Sequence, residues 1–200
     1  HSPAVEAKPN ADAASEEPKL PEIVATGIAE FDAVFMQAKD IHQTIDTGNT
    51  ELEDARKGVN KAAGVAEHAS LDTGMAAIKA AANGKLKLDK RGAAPRVKAA
   101  AGAPQTTRDA AAAINKLLDS ADHALAVAKV LGPQAKDLAS TAAEFPGKLG
   151  SMGLHPMALA QASKKVGQDL KATAAAPDRV DRLAKSADEV FTALTNAFTK

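Results

Sequence analysis

The chain has 200 residues, long enough for one domain of ordinary size with a substantial core. Its 25 basic and 25 acidic side chains cancel, which removes the global attraction that nucleic-acid binding rests on, and its five Phe residues do not interleave with basic clusters as base-stacking surfaces do. Cysteine is absent, so disulfides, thiolate metal sites, CxxCH haem attachment and Cys nucleophiles are excluded, and no apolar run approaches the roughly eighteen residues needed to cross a bilayer.

Hydrophobic residues make up 45% of the chain, yet roughly a quarter of all residues are Ala, and Trp and Tyr are missing. Alanine forms helix readily but brings little apolar area to a core. Two outcomes follow. Helix axes approach closely across small seams, or they keep the usual separation of about 8–10 Å and enclose a cavity.

Residues 1–20 contain Pro3, Pro9 and Pro18 among Ala, Glu, Ser and Asn, with no apolar period. They read as a disordered tether, and such a lead suggests a periplasmic or otherwise exported protein with a leader or lipid anchor upstream of His1; a cytoplasmic setting is the alternative. A single all-helical domain is expected over residues 21–200. Its central helix spans residues 21–47, where Val24, Ile28, Phe31, Phe35, Ala38, His42 and Ile45 follow steps of four and three and Gly48 supplies a stop. From Thr50 a small-residue seam follows at Leu52, Ala55, Val59, Ala62, Ala66 and Ala69. The apolar set then shifts phase to Leu71, Met75, Ile78 and Ala82, which predicts a continuous or kinked helix stopped by Asn83-Gly84, with a break near residues 70–74 as the alternative.

Residues 85–104 stand apart. Lys85, Lys87, Lys90, Arg91, Arg96 and Lys98 face a single acid, Asp89, in a segment read as a solvated crossover or as a contact for an anionic membrane surface or an acidic partner. Leu86 and Leu88 alternate with polar residues, which fits a short extended piece, and Pro95 could open a short helix. Thr107 and Asp109 open the next helix, with Ile114, Leu117, Leu118, Ala121, Leu125, Ala128 and Leu131 on its stripe and Gly132-Pro133 as its stop. A shorter helix runs from Pro133 to Phe145. Gly147, Gly150 and Gly153 then surround Leu149, Met152 and Leu154 in what reads as a flexible, inward-packing flap. Pro156 starts the fifth helix and Pro177 the last. Four Phe residues fall on the first and last helices, which predicts that these two touch. The fold class is therefore all-α, a bundle of six to seven mostly antiparallel helices, with stacked helix hairpins as a variant and no convincing strand.

No catalytic, nucleotide or cofactor motif emerges. His42 occupies a core position; haem ligation there would need a second axial ligand, and the Glu-x-x-His pairs of di-iron bundles are absent. Asp119, Asp122 and His123 cluster on one helix without a matching pair elsewhere. The leading expectation is a non-enzymatic carrier of an apolar ligand (lipid, sterol or fatty acyl chain). Phe31, Phe35, Met75, Ile78, Phe145, Leu149, Met152 and Leu154 would line its cavity, and His42 would anchor a polar group. The alternatives are an adaptor bundle for protein–protein contact or self-association, and a haem- or metal-binding bundle through His42 or His123.

Overall fold

A computed structural model describes residues 19–89 and 95–199. Three long helices dominate it: α1 (Ala29–Ala63), α3 (Gln105–Ala143) and α5 (Pro156–Thr199). Between them lie a twelve-residue helix α2 (Leu71–Ala82), a hairpin of β1 (Leu86–Asp89) and β2 (Arg96–Ala99), and a seven-residue helix α4 (Phe145–Ser151). The all-α class fits. The helix count of six to seven does not, because three expected breaks are bridged by continuous helix, and the hairpin supplies two strands where none was expected. Of the tether expected over residues 1–20, all but Lys19 and Leu20 lies outside the described residues.

Each missed break has a packing cause. Gly48 sits inside α1 against Leu183 of α5, where a Cβ would lie 3.3 Å from the Leu183 Cδ1 methyl, so its missing side chain lets two helices close up. That contact outweighs a helix-interior glycine penalty of about 1 kcal/mol. Pro133 and Pro177 lie inside α3 and α5, each costing about 3 kcal/mol in isolation. Ala128 and Ala135 are buried on either side of Pro133, and Thr173, Ala176 and Val180 are buried around Pro177, so both flanks are pinned to neighbouring helices. The true end of α1 is Gly64, whose left-handed backbone closes a Schellman motif: Gly64 N–H donates to Lys61 and Val65 N–H to Asn60. Ser70 then caps α2 by accepting from the Thr73 amide, so the chain breaks where a continuous or kinked helix was favoured. Asn83 and Gly84, both at positive φ, end α2 as expected.

The long helices run up, down and up. Moving along α1, His42 meets Arg179, Gly48 meets Leu183 and Arg56 meets Glu189, so α1 and α5 are parallel. Glu51 meets His123 whereas Phe31 meets Phe145, so the chain returns antiparallel along α3. Helices α1 and α5 do touch, as expected. Their phenylalanines do not pair, because in a parallel arrangement Phe31 and Phe35 lie at one end while Phe191 and Phe198 pack at the other. Phe145 of α4 stacks on Phe31 at 4.0 Å between ring centroids and lies edge-on to Phe35 at 5.4 Å. The segment expected to be a glycine-rich flap instead begins as α4, held down by buried Phe145 and Leu149.

The turn from α1 to α2 is organised by Asn60, which is 2% exposed and donates through Nδ2 to the carbonyls of Glu67 (3.0 Å) and Ala69 (2.8 Å). Its Oδ1 lies against Gly74, where an added methyl group would overlap it. Two hydrogen bonds keep the amide from swinging aside. Gly74→Ala is therefore expected to destabilise the fold by about 1–3 kcal/mol, whereas Gly58→Ala, at an exposed α1 position with open space around it, is expected to stabilise by about 0.5–1 kcal/mol. Paired urea denaturation curves check both; equal shifts in the same direction would refute this account of the turn.

Candidate functional site

The side chains expected to line one cavity fall in separate places. Phe31, Phe35, Phe145 and Leu149 fill the lower core with Ile23 and Val166, while Met75 and Ile78 belong to the upper core with Ile45, Leu118 and Leu194. Leu154 is half-buried, and Met152 is 41% exposed on the turn into α5. Five grooves open on the described surface, and of the nine expected lining residues only His42 borders one of these five.

That groove, about 340 Å³, runs between residues 19–23 and the α1–α5 seam. His42 forms part of a clamp across the seam. Its Nε2 lies 3.0 Å from the Ala172 carbonyl and its Nδ1 2.9 Å from Arg179 Nη1. A guanidinium only donates, so Nδ1 accepts and Nε2 carries the proton, which fixes one neutral tautomer. Buried Arg179 reaches on to Asp46 with its other terminal nitrogen. His123 is engaged by Glu51 at 3.1 Å, while Asp119 and Asp122 both face Arg96, so the acids beside His123 are turned to another task. Among the described residues no group of three His, Cys, Asp or Glu could hold a metal ion.

A second composite site assembled from separate segments is the hairpin end. In its register Leu86 pairs with Ala99, Lys87 with Lys98, Leu88 with Val97 and Asp89 with Arg96. Alternation sends Leu86, Leu88, Val97 and Ala99 towards the upper core and leaves Lys87 and Lys98 on the outer face, directly opposite each other. Like charges in that position are destabilising. The hairpin holds because α3 grips β2: Asn115 accepts from the Val97 amide (2.8 Å) and donates to the Val97 carbonyl (2.9 Å), copying the bonding of a neighbouring strand. Arg96 adds an ion pair to Asp119 at 2.5 Å and a longer one to Asp122 at 3.8 Å.

The six basic residues of this segment therefore have different fates. Arg96 is held by α3, and Lys98 is paired with Asp89 at 2.7 Å. Lys85 and Lys87 are exposed, with no acid among the described residues paired to either. Lys90 and Arg91 lie outside the described residues. The residue expected to open a short helix, Pro95, instead precedes β2. Asn115 was not anticipated; its only signal is an amide inside the run Ile114-Asn115-Lys116-Leu117, beside an apolar stripe.

At the opposite end, residues 19–27 form a strap across α1 and α5. Ile23 enters the lower core, and Asp32 folds the strap into α1 by accepting from the Thr26 amide and hydroxyl, both 2.7 Å, and from the Gly27 amide at 3.2 Å. Beneath it Asp169 is fully buried: Oδ1 accepts from the Val24 amide at 3.1 Å and Oδ2 has no partner. Burial, reinforced by the charge of Asp32, raises the Asp169 carboxyl above its ordinary value despite the Val24 amide and Lys165. Burial also acts upward on Asp32, but the Thr26 and Gly27 hydrogen bonds and Lys165 outweigh it and leave that group lowered.

The two acids thus respond oppositely to pH. The contribution of Asp169 is full below the ordinary 3.8 and is lost as pH rises through its raised value; that of Asp32 is present above 3.8 and is lost as pH falls through its lowered value. Asp169→Asn keeps an acceptor for Val24 and is expected to raise the melting temperature at pH 7, with the gain shrinking as pH falls through the raised value of Asp169 towards 3.8. A gain that is independent of pH would contradict the assignment.

No described helix is long and apolar enough to cross a membrane. Comparison with family models, curated proteins and solved structures finds no match to this chain.

Proposed function

We propose that this chain is a non-enzymatic helical adaptor whose bundle holds a cationic β-hairpin rigidly at one end for contact with a protein partner. The observation that carries the reading is the double hydrogen bond from Asn115 to Val97, which fixes the hairpin to α3 together with the Arg96 ion pairs. A surface that must keep one shape before its partner arrives avoids the cost of ordering it on binding. Placing two lysines directly opposite each other costs stability, which makes sense where their charge is used.

We favour this over the carrier reading because most of the side chains assigned to the cavity are divided between two separate cores. Its anionic-membrane element bears on the same end of the molecule, through Lys85 and Lys87. Export, suggested by the Pro/Ala/Glu-rich lead, belongs to this proposal as the setting in which the partner is met.

Photocrosslinking in the native host tests the adaptor reading. A photoreactive residue in place of exposed Lys87 is expected to give a discrete protein adduct, and one in place of Val130, which is exposed on α3 away from the hairpin, is expected to give none. Lipid adducts alone at position 87, or equal protein adducts at both positions, would overturn it.

A further inference from the structure

Resting on the reading of the hairpin as the binding end, we infer that the outer edge of β1 receives an extended acidic peptide segment as an added strand. The ladder sets which backbone groups are free. Ala100 N–H donates to the Lys85 carbonyl, so residues 85, 87 and 89 turn their amides and carbonyls inward to β2. Val97, on the alternate phase, points away from β1 and is bonded by Asn115. Leu86 and Leu88 share that alternate phase and point away from β2, and no hydrogen bond from another described residue reaches their backbone groups. One edge of the hairpin is thus closed by an asparagine and the other is open.

The open edge adjoins a place for a side chain. A groove of about 470 Å³ lies beside Leu86, walled by Ala76, Ala80 and Ala82 of α2 and by Phe198 of α5. Exposed Lys79 borders it, exposed Lys85 and Lys87 lie beside and on β1, and none of the three is paired with an acid among the described residues. Strand addition supplies affinity through main-chain bonds and specificity through pockets for alternate side chains. The incoming segment therefore carries acidic residues on one phase and an apolar residue for the groove on the other.

Charge also decides against two other occupants. Lysines on a short edge repel a second copy bearing the same edge, which is how natural sheets avoid self-pairing. A membrane would find no apolar group to insert here, since Leu86 and Leu88 pack towards the core and the exposed large hydrophobics, Val24, Met36, Val130, Met152 and Met157, all lie on other parts of the molecule.

The test uses the whole chain, isotope-labelled for NMR, and the peptide acetyl-Glu-Val-Glu-Leu-Glu-Val-Glu-amide. Binding is expected to slow hydrogen exchange at the Leu86 and Leu88 amides. The double variant Lys85→Glu with Lys87→Glu, which also relieves the Lys87–Lys98 repulsion, is expected to bind about tenfold or more weakly with a melting temperature that is not lowered. The same peptide N-methylated at alternate residues keeps its charge but cannot pair as a strand, and is expected not to bind. Binding that survives N-methylation, or binding to phosphatidylglycerol vesicles without binding to the peptide, overturns the inference. Failure of the peptide while the position-87 protein adduct persists removes strand addition alone; failure of both removes the adaptor reading as well.

Discussion

The parallel seam between α1 and α5 is the constraint on which the rest of the molecule depends. A buried guanidinium is costly unless its donors are met, and two of the donors of Arg179 are met by His42 and Asp46 on successive turns of α1. Gly48 next along lets Leu183 approach the α1 backbone. Two parallel helices cannot be joined by a short turn, so the chain must return along α3, with a crossover at each end. The upper crossover contains α2 and the hairpin; the lower contains α4. The hairpin is where it is because α1 and α5 point the same way.

The same seam explains how the alanines are used. Composition allowed close approach or an enclosed chamber, and Ala38, Ala55, Ala121, Ala135, Ala176 and Ala187 are all buried to 1% exposure or less, which is the close-approach outcome. Bulky side chains fill the interior at every level: Phe31, Phe35 and Phe145 below, Ile45, Leu118 and Leu183 along the seams, and Met75, Ile78 and Phe198 above. The uncompensated carboxylate of Asp169 lies in the lower end, where the strap crosses rather than in the alanine seams.

Much of this was legible in the sequence, and what was not has a common cause. Periodicity identified the buried faces of all three long helices: Phe31, Phe35, Ala38 and Ile45, Ile114 through Ala128, and Val166 through Leu194. Local stop signals failed wherever tertiary contacts opposed them, at Gly48, Pro133 and Pro177, because a glycine or proline penalty is fixed while the burial on either side of it depends on partners far along the chain. The stack of Phe31 on Phe145 was not foreseen, because sequence shows which residues are aromatic but not which helix ends meet. The hairpin was only partly visible, since Leu86 and Leu88 alternate clearly whereas the strand from Arg96 to Ala99 is held by pairing with β1 and by Asn115, about twenty residues onward. His42 was singled out for its apolar position, and its partners, Ala172 and Arg179, are about 130 residues away.

The central claim is that the chain fills its own interior and so presents its function at the surface. Diffraction from xenon-pressurised crystals tests this most directly, because xenon enters dry apolar cavities too small or too closed for other probes. The account predicts no xenon between α1, α3 and α5; xenon there, or density for an apolar guest against Phe35, Ile45 or Leu118, would contradict it.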